Sequence, residues 1–454
     1  MNRESTQRQA AIDVREAVET APVGRYHLFL AALIALIVFF EGYGNFNAAY
    51  VIPYVMRPWH LLLGQAGLLV SSGMFGFAFG SLVQGRFSDR FGRRVMILSG
   101  LWIASIFSLA TATADSFVAF CAWRFCTGIG LGVLLPLGVT YMNEYAPKRL
   151  KHTFSTWGWG LGFSAGGVAA AVVGIFLTPS LGWQSLYYVA ALSAILAVVC
   201  HLVLPESLQF QAMHGETKEI ASVLARLDPA NAARYLQPAA GFRFPERNDR
   251  PASVSLLLSP RYRRTTLAVW TAAFFILFAV YGLTGWAPTA MMQRGETFSA
   301  SFAFGAMILA MNFGGTLACG YCADRWKNGR SALTLWWFAG ALSVGVLAVA
   351  NGHLLNFLSM SAAGFFVLGG QGTLNNLTAS WFETEVRGTA VGMMLGIGRF
   401  GGVLGPYLIG LLQQISPGSG GLFLAISLAI LLGAVSIAFA GPRPAPLSLT
   451  EVQA

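Results

Sequence analysis

Three ionisable residues stand inside long apolar runs: Glu41 in FFEGYGN, Arg124 in CAWRFCTGIGLG and Arg399 in GIGRFGGVLGP. An arginine cannot shed its proton at ordinary pH. A charge at the centre of a hydrocarbon layer costs about 2.5–3.5 kcal/mol on insertion scales, and it persists mainly where it faces a partner or a watery cavity. Two fixed positive charges against one carboxyl leave a deficit that an anionic ligand would fill. A carboxylate suits the planar fork of a guanidinium through two parallel hydrogen bonds. Glu41 is the one deep carboxyl, so it is the candidate to take up and release a proton. The rival is a static ion pair with an arginine. Asn45 lies one turn beyond Glu41 on the same helix face.

Weaker candidates for lining the same cavity are Tyr281, Trp286, Asn312, Gln371, Thr373, Asn375 and Asn376, with Trp157 and Trp159. Taken singly, such residues are more often helix–helix hydrogen bonds or interfacial anchors. Five glycines, at 396, 398, 401, 402 and 405, surround Arg399 and would let a neighbouring backbone or a ligand approach closely. The six histidines, at 27, 60, 152, 201, 214 and 353, fall near run ends or in loops, which argues against a histidine proton relay.

The elements that must hold these charges are membrane helices. Of 454 residues 55% are hydrophobic and 11% charged, with mean hydropathy +0.60; a soluble domain carries about 25% charged residues. Apolar runs of about 20 residues, enough to cross a bilayer, cover 27–50, 64–86, 94–113, 117–142, 153–177, 184–204, 265–290, 299–322, 332–351, 354–378, 389–413 and 420–440. This predicts an all-α polytopic membrane protein of twelve transmembrane helices in two six-helix bundles. The expected divisions are a cytoplasmic N-terminal tail (1–26), a first bundle (27–204), a central loop (205–264), a second bundle (265–440) and a cytoplasmic C-terminal tail (441–454). The tail over 1–26 mixes both charge signs and lacks an apolar stretch, so no cleaved signal is expected. The five cysteines all sit in apolar runs with neither metal-ligand nor disulfide-framework spacing, and read as small core residues.

Orientation follows from Lys and Arg. With the N-terminus cytoplasmic, 25 of the 29 fall on that side, Arg57 and Arg294 on the other, and Arg124 and Arg399 within runs. Both termini and the central loop are therefore expected in the cytoplasm. The net charge of +10 is then explained by loops facing anionic lipid, with no call for nucleic acid.

The halves share punctuation. GRFSDRFGRR (85–94) follows the second run and GYCADRWKNGR (320–330) the eighth, so that Asp89 and Asp324 are 235 apart. NEYAPKRLK follows the fourth run and WFETEVRG the tenth, so that Lys151 and Arg387 are 236 apart. Two loops agreeing within one residue argue for a duplicated six-helix unit. At those offsets Glu41 faces Ile276 or Leu277, Arg124 faces Ser359 or Met360, and Arg399 faces Phe163 or Ser164. The duplicated charges are expected in loops and read as structural. The unduplicated ones lie at depth and read as functional.

The G-x-x-x-D-R-x-G-R-R loop resembles the best-known motif of the major facilitator superfamily, complete in the first half and worn in the second, and the resemblance spans nearly the whole chain. Pro205-Glu206-Ser207, TEVRGTAVG at 384–392 and G-x-G-R-x-G-x-x-x-G-P at 396–406 resemble the aromatic acid/proton and related metabolite/proton symporters. In that group the first span carries D-G-x-D; here EGYG keeps Glu41 and lacks the second carboxylate. Ser380 and Glu383 stand where the group tends to have Glu and Pro. Arg124 begins an R-x-x-x-G-x-G pattern that resembles the superfamily's fourth span.

The resemblance implies proton-coupled import of a small organic acid, aromatic or other, across the inner membrane by alternating access. No cofactor is expected beyond the proton gradient, and a monomer is the superfamily default. Glu41 would carry the proton. Arg399 and Arg124 would face the anionic substrate, with Asn45, Tyr281, Trp286, Gln371 and Asn375 beside them. Asp89, Arg90, Arg93, Arg94, Asp324 and Arg325 would form cytoplasmic gates. The rival readings are a carrier of a neutral or cationic metabolite, a drug exporter, or a non-transporting receptor. An enzyme is disfavoured, since the chain has no nucleotide loop, metal cluster or nucleophile–base pair.

Overall fold

The computed structural model describes residues 11–150, 160–237, 241–243, 253–326, 328–416 and 418–441. Trp157, Trp159, Lys151 and Lys327 lie outside them. An apolar chain in lipid must satisfy its own N–H and C=O groups, so each long run closes into a helix. These are α1 (Arg25–Phe46), α2 (Leu63–Phe91), α3 (Arg93–Ala112), α4 (Phe117–Tyr145), α5 (Gly162–Phe176) and α6 (Ser185–Val203). The second set is α7 (Arg263–Gln293), α8 (Phe298–Arg325), α9 (Gly329–Val349), α10 (His353–Trp381), α11 (Thr384–Ile415) and α12 (Ser419–Ala438). Eleven of the twelve are long and apolar enough to span a membrane over their described residues; α5 is shorter.

Two helices outrun their apolar limits. The motif around Asp89 and Arg90 continues α2 as helix, and Asp324 and Arg325 close the last turn of α8, so neither pair sits in a loop. Long charged side chains at a span end reach the interface and need no break in the helix. The chain turns only at Gly92, whose φ of +93° suits glycine and where a Cβ would lie 2.4 Å from a Glu206 oxygen.

The repeat recurs in how the helices pack. Gly166 of α5 rests on the Phe39 carbonyl, and Gly401 of α11 on the Phe274 carbonyl; a Cβ at either would come within 2.0 Å of that oxygen. Gly80 meets the Ile129 carbonyl as Gly315 meets that of Phe365. These partners are the same 235 or 236 residues apart as the loop motifs. Arg94 donates to the His201 carbonyl, and Arg330 to the Ala440 carbonyl at 2.8 Å, each tying the start of a third helix to the end of a sixth. Gly398, Gly401 and Gly405 press α11 against α7. Their use around Arg399 is therefore backbone approach between helices.

The two bundles meet at the end of the molecule away from the central segment. There Gly67 of α2 meets the Pro406 carbonyl and Gly410 of α11 the Leu63 carbonyl. Tyr50 packs on Phe302 at 4.9 Å and Tyr54 on Phe298 at 5.6 Å between ring centroids. Midway, Asn312 of α8 donates to Ser164 of α5 at 3.1 Å. Toward the other end the bundles part. A Cβ built at Gly85, Gly320, Gly388, Gly392 or Gly396 would meet nothing within 4 Å. Gly388 and Gly392 share a helical face with Arg399, so this open space is a cleft leading to Arg399.

The described residues of the N-terminal tail (11–24) and of the central segment (205–237, 241–243 and 253–262) include helices and a strand pair, where the sequence predicts a polar tail and loop. A short helix, Val14–Thr20, is capped by Asp13, whose side chain accepts from the amides of Arg15 and Glu16. Its Val14, Ala17 and Val18 join one apolar cluster with Ile220, Val223, Leu224 and Leu227, four residues on the helix Thr217–Leu227. Ile12–Asp13 pairs in parallel with Phe242–Arg243. The mixed charges hid an amphipathic stripe.

Candidate functional site

Arg399 sits halfway along α11. Its guanidinium carbon lies 4.1 Å from the centre of the Phe77 ring, across the bundle boundary on α2. It is partly exposed to the cleft, and it makes no hydrogen bond or ion pair to another described residue. Glu41 of α1 is fully buried, and neither carboxyl oxygen has a hydrogen-bond partner among the described residues. Glu41, Tyr281 and Arg399 interact electrostatically with one another. Glu41 and Arg399 thus lie near enough to feel each other's charge, with no ion pair between them. Tyr281 of α7 is stacked on Phe46 at 6.4 Å, and Phe46 meets Phe163 edge-on at 5.3 Å. Met74 and Tyr281 both border Gly402. The result is one carboxyl, one guanidinium cation and a phenol inside their spans, walled by aromatic rings from α1, α2, α5 and α7.

Asn45 stays with Glu41, donating to its backbone carbonyl at 3.1 Å. Arg124 goes elsewhere. It is 2% exposed and donates to the Gly44 carbonyl at 3.0 Å and to the Asn47 side chain at 3.3 Å. Trp286 is fully buried, and its indole N–H donates to the Pro406 carbonyl at 2.8 Å, joining α7 to α11. Gln371 and Asn375 lie one turn apart on α10, just past a π-helical turn at Gly364–Leu368. Each has a buried amide oxygen without a partner. Of the weaker positions, Thr373 is buried, Asn376 is exposed and Asn312 bridges the bundles. Phe46, Phe77 and Phe163 carried no signal in the sequence, because a phenylalanine in an apolar run is indistinguishable from the other 33.

The expected gate residues divide in two. Arg93 and Arg94 are committed within the first bundle. Their amides donate to Glu206 at 2.9 and 3.0 Å, and the Arg93 side chain pairs with Glu144 and donates to Gln209 at 2.9 Å. Asp89, Arg90, Asp324 and Arg325 are exposed at the rim of the cleft. In the second bundle Glu383 binds Arg261 at 2.6 Å and the Tyr262 hydroxyl at 2.7 Å. Among the described residues no group of three His, Cys, Asp or Glu side chains is arranged to hold a metal ion.

Two helical bundles of repeated design around a central charged cleft define a membrane carrier. The family model for the Major Facilitator Superfamily matches residues 34–379. The chain is 32% identical over 423 residues to the 4-hydroxybenzoate transporter PcaK of Pseudomonas aeruginosa, covering 90% of this chain and 91% of that one. It is 32% identical over 445 residues to the gallate transporter of Pseudomonas putida, covering 94% and 95%. It superposes on the inward open conformation of the xylose transporter XylE from E. coli with a TM-score of 0.73 and 16% identity, over 94% of this chain and 99% of that one; at that identity the likeness concerns the fold alone. The chain belongs to the major facilitator superfamily. It is a multi-pass membrane transporter and not an enzyme, and its relatives are the aromatic acid transporters to which the motifs at 384–406 pointed.

Proposed function

We propose that the protein imports a small aromatic carboxylate together with a proton, by alternating access across the inner membrane. The observation that supports this most is Arg399: a fixed positive charge at mid-depth, open to the cleft and without an acidic partner in contact. A substrate carboxylate would complete it through two parallel hydrogen bonds. The rings of Phe46, Phe77, Phe163 and Tyr281 offer faces and edges to an aromatic body, each such pairing being worth about 0.5–1.5 kcal/mol beyond buried area. The relatives named for 4-hydroxybenzoate and gallate support the same class.

Coupling follows from charge. Two ionised carboxylates crowded on one guanidinium at depth repel each other, and one of them keeps its proton. The site then holds either an ionised Glu41 facing Arg399 or a substrate carboxylate with a protonated Glu41. Substrate and proton enter and leave together. In this account Arg124 and Trp286 are structural: one caps the last turn of α1, the other holds α7 on α11.

The Lys and Arg distribution supports a cytoplasmic position for the open end of the cleft, and on that reading this arrangement is inward-open. Asp89 is exposed here and would find its partner on the second bundle only when the cytoplasmic side closes. Asp89→Asn removes one charge-assisted bond of about 1.5–3 kcal/mol from that closed state and is expected to shift the population toward inward-open by that amount. Cysteine labelling from each side, in a background without native thiols, reads the shift; an unchanged pattern would leave Asp89 a topology marker.

Uptake into proteoliposomes tests the substrate class. Labelled aromatic monocarboxylates are expected to enter by a saturable route above protein-free vesicles, and to be displaced by one another but not by neutral or cationic analogues. Saturable entry of the neutral or cationic compounds alone would replace this reading with a carrier that uses Glu41 for substrate contact.

A further inference from the structure

The amides of Gln371 and Asn375 have no use in the fold. Neither makes a hydrogen bond with a described residue, and the oxygen of each is buried without a donor. Buried polar groups are nearly always paired, and one left open in a native structure calls for a reason. They sit at i and i+4, hence on one face of α10. The neighbouring positions are occupied: Gly372 lies against Thr316 of α8, and Thr378 donates to the Leu374 carbonyl at 2.8 Å and contacts the Met394 sulfur of α11. The π turn just before them resets the helical register, a feature found often at functional sites.

Depth adds the geometry. Gln371 is ten residues from the open end of α10 (Trp381), and Arg399 is fifteen from the open end of α11 (Thr384). At 1.5 Å per residue Gln371 lies roughly 7 Å nearer the opening than Arg399, with Asn375 another turn out. That offset is about the length of a benzoate ring carrying a hydroxyl opposite its carboxylate. A carboxamide offers both a donor and an acceptor, and a phenolic hydroxyl can answer either.

We infer that Gln371, with Asn375 behind it, reads a ring hydroxyl, so that the site selects hydroxylated aromatic acids over bare or alkylated ones. The inference rests on the reading that the substrate carboxylate is held at Arg399. A site built to bond a hydroxyl discriminates strongly against an analogue lacking it, because its polar groups are then left unpaired.

The test compares 4-hydroxybenzoate with 4-methylbenzoate, which has similar shape and no hydroxyl, by calorimetric titration of the full-length protein in detergent. The wild type is expected to favour the hydroxy acid by tenfold or more, and Gln371→Leu to bring that ratio close to one. Asn375→Leu, titrated in parallel, is expected to reduce it as well and carries the test if the first variant does not fold. Equal affinity of the wild type for the two acids, or a ratio that survives both substitutions, overturns the inference and leaves carboxylate transport standing. Failure of the wild type to bind either acid removes the proposed function itself, and this inference with it.

Discussion

Glu41→Gln is expected to abolish stimulation of uptake by an inward proton gradient while leaving exchange of substrate across the membrane intact. The glutamine imitates the protonated acid, so the substrate-loaded form can still cross. It cannot give up a proton, so the gradient has nothing to drive. A one-unit pH gradient is worth about 1.4 kcal/mol per proton, which sets the ceiling of a one-proton carrier at roughly tenfold accumulation per unit. The undissociated acid also crosses lipid unaided, so initial rates are read above protein-free vesicles. Wild-type stimulation in the glutamine variant would remove Glu41 from the coupling step.

Arg399→Lys is expected to weaken substrate binding by roughly 10- to 150-fold, as the loss of one charge-assisted hydrogen bond of about 1.5–3 kcal/mol implies. Lysine keeps the charge but loses the planar fork and the flat face that rests on Phe77 at 4.1 Å. If Arg399 served only to balance Glu41, lysine would do nearly as well, and the double change Glu41→Gln with Arg399→Gln would restore folding without reference to substrate. Thermal shift with a panel of acids separates the two cases. Native affinity in the lysine variant for every accepted acid would end the anion-clamp account.

Much of this architecture is legible in the sequence for physical reasons. A bilayer demands apolar runs of fixed length, and a loop motif repeated at a constant offset betrays duplication. The same offset relates Gly166 and Phe39 to Gly401 and Phe274, a packing solution used twice. The helix ends are less legible. Asp89 and Asp324 read as loop residues by polarity, yet the stop in the first half is a glycine with positive φ, two residues past Arg90.

The site is legible only in part. A charge in an apolar run announces that it needs company, without saying what kind. Arg124 and Arg399 carry the same signal, but one is buried on a carbonyl and an asparagine of its own bundle, while the other stands open to the cleft. That difference depends on Gly44 falling in the last turn of α1, where backbone carbonyls lack helical partners, which residue types do not encode locally. Trp286 likewise reads as a cavity aromatic until its N–H is seen on the Pro406 carbonyl.

The central claim is that one carboxylate and one proton move together through a site built on Arg399 and Glu41. It is tested most directly by adding 4-hydroxybenzoate to proteoliposomes in weakly buffered medium while recording external pH and labelled uptake at once. The account predicts a substrate-dependent alkalinisation outside that tracks saturable uptake above protein-free vesicles, and a matching shift of both to higher substrate concentration in Arg399→Lys. Saturable uptake with no proton movement above the protein-free baseline would contradict it.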